Sequence, residues 1–121
     1  MKVTCGTDIV EIDRVKKSFN NYEEKFCEKV FTSVEQEYCE KFKDNKYEHY
    51  AARFAAKEAV YKALSNYDDK ISWKDIEVNN QENGRPFINL MVDIPELKQI
   101  DITLSHCKTY ATAYVVATFD K

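Results

Sequence analysis

Glycine and proline are scarce, with two of each in 121 residues. That leaves no material for the long flexible linkers on which multidomain chains depend. Basic residues are not in excess either. The net charge is −3 and the pI about 5.4, so the basic face of a nucleic-acid binder is missing. No apolar run approaches the ~18–20 residues that span a bilayer. The opening Met1-Lys2-Val3-Thr4-Cys5-Gly6 has no signal-peptide core, and the chain is expected in the cytoplasm. The four cysteines, Cys5, Cys27, Cys39 and Cys107, form no C-x-x-C pair. They are expected to be reduced thiols with packing or surface roles. A G-x-x-x-x-G-K-S/T loop, a G-x-G-x-x-G turn and a Cys/His nucleophile arrangement are also absent. A P-loop kinase and a dinucleotide-dependent dehydrogenase are therefore disfavoured.

What is present describes a folded chain. Hydrophobic residues make up 44% and charged residues 32%, with eight Tyr and seven Phe. One domain over residues 1–121 is expected. Residues 2–13 read as a strand with apolar residues on both faces: Val3, Cys5 and Ile9 on one, Val10 and Ile12 on the other. Such a strand is expected to be buried. Val15 to Phe42 reads as short helices, one starting at Ser33 ahead of Glu35 and Gln36. The Ala-rich stretch 46–65 is the strongest helix. Trp73–Val78 and Pro86–Val92 read as strands joined by an Asn83-Gly84 turn. Pro95 suits the first turn of a short helix ending near Ile100. Asp101–His106 and Tyr110–Phe119 complete a second hairpin. The fold class is α+β, a long central helix on a mainly antiparallel sheet.

Some charges break these patterns. On a helical wheel, Tyr47, Tyr50, Ala51, Phe54, Ala55 and Tyr61 form a stripe with Glu58 in its middle and Lys62 one turn later. A carboxylate in apolar surroundings needs compensation. An exposed Glu58–Lys62 pair at i,i+4 would supply it, and so would a cleft holding a cation. Asp8 sits within the first strand, where Asp is disfavoured, on the face of Gly6, Val10 and Ile12. It is either a strand-end cap or a second carboxylate for a cation. Gly6 allows close approach of a ligand or backbone on that face. Two such carboxylates suit magnesium, which takes one or two from a protein and fills its shell with waters and phosphates. Arg53 and Lys57 lie away from the Glu58 face. With Lys62 and His106 they could surround a phosphate ligand or be solvated surface charges.

In order along the chain, these residues resemble the holo-[acyl carrier protein] synthases of the 4′-phosphopantetheinyl transferase superfamily. Gly6-Thr7-Asp8 with Glu11 and Arg14 is similar to the family's G-x-D motif. Phe31-Thr32 and Glu35 fit F-T-x-x-E. Arg53-Phe54-Ala55-Ala56-Lys57-Glu58-Ala59, then Lys62-Ala63-Leu64, fits the central signature. Asn83-Gly84-Arg85-Pro86 resembles the G-x-P turn, and Leu104-Ser105-His106 with Tyr110-Ala111 and Ala113 the last block. Cys107 departs from the small hydroxylated residue expected there.

The resemblance implies transfer of 4′-phosphopantetheine from coenzyme A to a serine of apo-acyl carrier protein, for fatty acid biosynthesis, by a magnesium-dependent homotrimer. It implies that Asp8 and Glu58 hold the metal and that Lys62 neutralises a pyrophosphate oxygen. Arg53, Lys57, Gly84, Arg85, Pro86, Ser105 and His106 would line the nucleotide, Arg53 and His106 near the adenosine 3′-phosphate. Glu58 and a metal-bound water are the candidates for taking the serine proton. An acidic carrier protein would dock on Arg14, Lys16, Lys17, Lys25 and Lys29, with Phe26 and Val30 adding apolar contact; the alternative, since Glu23, Glu24 and Glu28 are interleaved, is a solvated helix of mixed charge. Ile102, Leu104, Val115, Val116 and Phe119 supply either apolar surplus for assembly or a surface that the helices cover. Two other classes compete. A non-catalytic module could bind coenzyme A or a carrier protein, and a magnesium-dependent phosphatase or hydrolase could act on a nucleotide, though a two-metal site needs more carboxylates.

Overall fold

The structure, a computed structural model, describes residues 1–120, apart from the side chains of residues 22–24. Among the described residues, five strands and three α-helices follow in order: β1 (Lys2–Glu11), α1 (Ile12–Val30), α2 (Ser33–Glu40), α3 (Lys46–Leu64), β2 (Ile76–Asn80), β3 (Pro86–Leu90), β4 (Leu97–His106) and β5 (Tyr110–Phe119). All strand pairs are antiparallel, in a sheet ordered β1-β5-β4 and a separate β2-β3 hairpin. The class is α+β, as the residue patterns imply. Among the described residues no helix is long and apolar enough to cross a membrane.

Helix α3 is the centre of the molecule. Ala51, Ala52, Ala55, Ala56, Ala59 and Ala63 are all buried. Alanine favours the helix, and its small side chain lets neighbours approach from every side. The sheet covers one side of α3, while α1, α2 and β2 cover the other. The one-sided wheel of the sequence reading therefore fails here. Arg53 and Lys57, placed away from the apolar stripe, are 2% and 1% exposed. A helix buried on opposite sides is covered by more than one layer, and only its C-terminal end opens to solvent at Tyr61 and Lys62.

Strand β1 lies along α3 at backbone distance. A Cβ on Gly6 would sit 2.0 Å from the Ala59 carbonyl oxygen, so only glycine fits. The Thr4 hydroxyl donates to the Ala63 carbonyl at 2.7 Å. The other face of β1 is open, contrary to the buried strand expected: Val3 is 56% and Ile9 62% exposed. β1 is an edge strand covered on one face only, which alternation within the strand cannot reveal.

Other elements also differ from the sequence reading. α1 is one 19-residue helix rather than several. It takes over directly from β1 at Ile12, whose amide donates to the Thr109 carbonyl at 2.9 Å. α2 does start at Ser33 as read, capped by Thr32 in a capping box with Glu35. Trp73–Asp75 is a 3-10 turn instead of the start of a strand, because Asp75 accepts from the Ser72 amide and hydroxyl. Pro95 starts no helix. It occupies the second position of a tight turn closed by Leu97 N–H to the Ile94 carbonyl at 3.2 Å, with Glu96 at φ 70°. Pro followed by a positive φ is a type II turn, and it launches β4 from Leu97. The β2-β3 hairpin forms as read, with Gly84 at φ 90° after a turn that begins at Gln81.

Candidate active site

Asp8 and Glu58 come together from different elements. Alternation on β1 puts Asp8 on the face of Gly6, against α3. Both carboxylates line one cleft of about 490 Å³, with Arg14, Phe26, Phe54 and Tyr110 among its walls. The Lys62 ammonium ties the strand to the helix, donating to the Thr7 carbonyl at 2.8 Å and Asp8 Oδ1 at 3.3 Å. Burial first, then the charge of Asp8, pushes the Glu58 carboxyl above its ordinary range, with Lys62 opposing. Two carboxylates thus share a cleft under like-charge tension that a cation would relieve. Among the described residues no group of three or more His, Cys, Asp or Glu is arranged to hold a metal. Two hard oxygen donors are what magnesium takes where phosphates and waters complete its shell.

A second cleft, of about 220 Å³, gathers Arg53, Gly84, Arg85, Pro86 and His106, together with His49. The Arg53 guanidinium lies over the Tyr38 ring at 4.2 Å and donates from Nη2 to Asn80 Oδ1, while its buried Nε has no partner among the described residues. His106 holds Glu48 through Nδ1 at 3.1 Å, and Arg85 pairs with Asp101 at 3.2 Å. Ser105, expected beside them, is exposed and does not line this cleft.

Lys57 is a correction. Its three donors are used inside the protein, on Glu35 Oε1 at 2.8 Å, the Trp73 carbonyl at 2.9 Å and the Ile76 carbonyl at 2.6 Å. Glu35 also accepts from the Thr32 and Val78 amides at 2.8 and 2.7 Å. Burial pulls the ammonium below the usual lysine range and Glu35 opposes it. Lys57 therefore braces α2, α3 and β2, and no donor remains for a nucleotide.

On α1, Arg14, Lys17, Lys25 and Lys29 are all exposed, and Arg14 reaches the edge of the Asp8–Glu58 cleft. Lys17 pairs with Asp13 at 3.2 Å. Phe26 is half-buried in the cleft wall, and Val30, expected to offer apolar contact, is buried in the core. Glu23 and Glu24 lie outside the described residues; Glu28 is exposed. The apolar surplus also moves. Ile102, Val115 and Phe119 are buried and Leu104 is half-buried, while Val116 shares the open face of the sheet with Val3, Cys5, Ile9 and Tyr114. His49, and the pairing of Glu35 with Lys57, escaped the sequence reading. The i,i+4 spacing of His49 and Arg53 was the available signal for the first. For the second, Glu35 sits in F-T-x-x-E with its partner 22 positions away in sequence (from Glu35 to Lys57).

A family model described as the 4′-phosphopantetheinyl transferase superfamily matches residues 4–118. The holo-[acyl-carrier-protein] synthase of Ruminiclostridium cellulolyticum is 45% identical over 123 aligned positions, covering 96% of this chain and 92% of its own. A crystal structure of the Bacillus anthracis holo-(acyl-carrier-protein) synthase in complex with CoA (3′,5′-ADP) superposes with a TM-score of 0.79 at 34% identity, covering 94% of each chain. The Helicobacter pylori enzyme in complex with coenzyme A gives the same TM-score, 0.79, at 29% identity, covering 94% of this chain and 99% of its own.

Proposed function

The chain belongs to the 4′-phosphopantetheinyl transferase superfamily, and on that premise we propose that residues 1–121 act as one holo-[acyl carrier protein] synthase domain. It moves 4′-phosphopantetheine from coenzyme A to a serine of apo-acyl carrier protein, in the cytoplasm, for fatty acid biosynthesis. The observation that carries this reading is the meeting of Asp8 and Glu58 in one cleft, with Lys62 on Asp8.

In the reaction, the serine oxygen bonds to the β-phosphorus of coenzyme A. The bond from that phosphorus to the oxygen bridging to the α-phosphate breaks, and adenosine 3′,5′-bisphosphate leaves. Lys62 is placed to neutralise charge on the pyrophosphate oxygens, the main demand in phosphoryl transfer. Glu58, its carboxyl raised by burial, is the chain's own candidate for taking the serine proton. Asp8 and Glu58 would hold magnesium, which supplies further neutralisation of the phosphate oxygens when bound. Arg53, Arg85 and His106 receive the adenosine 3′-phosphate region, and Gly84 and Pro86 lie along the nucleotide. Release of adenosine 3′,5′-bisphosphate from coenzyme A should require both apo-carrier protein and magnesium. Release without carrier protein would instead mark a hydrolase.

The two halves of this site line separate clefts of one chain, which supports sites completed between copies in a homotrimer. The open sheet face supplies the contact: Val3 and Ile9 are 56% and 62% exposed, and Tyr114 46%. Apolar patches of this kind mark association surfaces. Light scattering is expected to give three times the chain mass of 14.2 kDa at micromolar concentration. Ile9→Asp with Tyr114→Asp is expected to give an inactive species of single-chain mass. A fully active single chain would refute the trimer.

The exposed cations of α1 form the carrier-protein dock, with Arg14 the anchor beside the cleft. Charges at a rim act on association and its salt dependence. Arg14→Glu, or Lys25→Glu with Lys29→Glu, should raise KM for carrier protein several-fold, and leave KM for coenzyme A nearly unchanged. Added salt should narrow the difference from the unmutated enzyme. Equal damage to both constants would place these residues in the active site instead.

A further inference from the structure

The cleft around Arg53 contains an imidazole to which the reaction above gives no part. His49 precedes Arg53 by one helical turn and shares its face. Its ring stacks on Phe42, just past α2, at 3.8 Å between centroids. Tyr38 of α2 meets it edge-on at 5.8 Å, and His106 of β4 at 5.7 Å. The ring is thus held on several sides, in a fixed orientation, at the wall of a cleft of about 220 Å³.

The cleft is built for an anion. His49, Arg53, Arg85 and His106 line it, and no carboxylate does. Two acids pair with cations of its wall from outside it, Glu48 with His106 Nδ1 at 3.1 Å and Asp101 with Arg85 at 3.2 Å, which leaves His49 and Arg53 as the lining cations without a carboxylate partner among the described residues. Arg53 is 2% exposed yet keeps a buried Nε without a partner among the described residues, so its donors are not exhausted by them. An unpaired buried donor is costly, and an incoming acceptor would offset that cost.

We propose that His49 is a specificity-determining residue of this cleft: its imidazole takes up a proton as a 3′-phosphorylated nucleotide enters, so that affinity for that phosphate rises on acidification. The inference rests on the reading of this cleft as the seat of the adenosine 3′-phosphate.

The groups facing His49 set its response. In the free chain, burial first, then Arg53, then His106, hold its pKa below the ordinary 6.5, with Glu48 the opposing charge. Tyr38 and Phe42 bring no charge. A phosphate dianion reverses the local field and favours the imidazolium. The bound-state pKa then lies above the free-state one, so affinity increases as pH falls through the window between them. One unit of difference is worth about tenfold in affinity between the two limits.

Titration calorimetry on the full chain tests this, with adenosine 3′,5′-bisphosphate and adenosine 5′-monophosphate as probes. Each is run at acidic and alkaline pH in buffers of different ionisation heat. For the bisphosphate the unmutated chain should take up a proton and bind about tenfold tighter at the acidic end. The monophosphate should do neither. His49→Gln and His49→Phe should both take up less proton than the unmutated chain and show a weaker pH dependence while still binding the bisphosphate at alkaline pH. The phenylalanine variant keeps the stack on Phe42 and guards against loss of fold. The phosphate's own protonation is common to all these chains and cancels in the comparison. Unchanged proton uptake in both variants would overturn the role of His49 and leave the cleft assignment standing. Equal affinity of the unmutated chain for the two probes would overturn the cleft assignment and the inference with it.

Discussion

Glu58→Gln and Asp8→Asn are each expected to lower turnover by about a thousandfold, with the fold intact. The magnitude follows from removing one of two hard oxygen ligands, since a bound metal contributes several kcal/mol to stabilising phosphoryl charge and each ~1.4 kcal/mol is tenfold in rate. The sign of the stability change separates this role from a structural one. Glu58 sits under the charge of Asp8 in a partly desolvated place, so its ionised form is disfavoured in the folded protein. Neutral Gln removes that tension, and the melting temperature of Glu58→Gln should hold or rise while activity collapses. Asp8→Asn also loses the ion pair with Lys62 at 3.3 Å, but Lys62 is half-exposed and keeps the Thr7 carbonyl, so little stability should be lost. Near-normal activity of either variant at limiting magnesium would remove that residue from the metal site.

Lys57→Met is expected to have the largest effect on stability. It leaves Glu35, fully buried, without its counter-charge. Breaking one side of a buried pair costs about 3–5 kcal/mol, which for a chain of this size lowers the melting temperature by about 10–20 °C. Lys57→Met with Glu35→Met should recover part of the loss, because no charge is then stranded. Recovery should be incomplete, because the Thr32 and Val78 amides lose their acceptor. Melting curves at matched protein concentration would measure it. If Lys57→Met kept its stability and lost affinity for coenzyme A, Lys57 would return to the nucleotide site.

These two sets of residues show what sequence alone can carry. Asp8 and Glu58 were legible because a carboxylate breaks an apolar pattern within its own element, and the break is visible wherever the partner lies. The burial of Lys57 and Arg53 was not legible, for the complementary reason. On a wheel they look solvated, and only the layer of α1, α2 and β2 above α3 turns that face inward. The Lys57 counter-ion is carried by another helix, and no local pattern connects the two. The same holds for His49, whose neighbours Phe42 and His106 come from either side of α3 in the chain. For the fold, the Ala-rich helix and the Asn83-Gly84 hairpin carry their own signals. Pro95 does not, because a proline fits both a first helical turn and the second position of a tight turn. The choice fell to β5, whose Phe119 pairs with Leu97 and whose neighbour Asp120 donates to the Glu96 carbonyl at 2.9 Å. Burial of β1 on one face only is likewise a property of the assembled sheet, not of the strand.

The intact mass of apo-acyl carrier protein, before and after incubation with this chain, coenzyme A and magnesium, tests the central claim most directly. The expected result is a gain of one phosphopantetheine arm on one serine, absent with Glu58→Gln. A carrier protein of unchanged mass, with coenzyme A bound intact or merely hydrolysed, would contradict it and leave a binding module or a hydrolase.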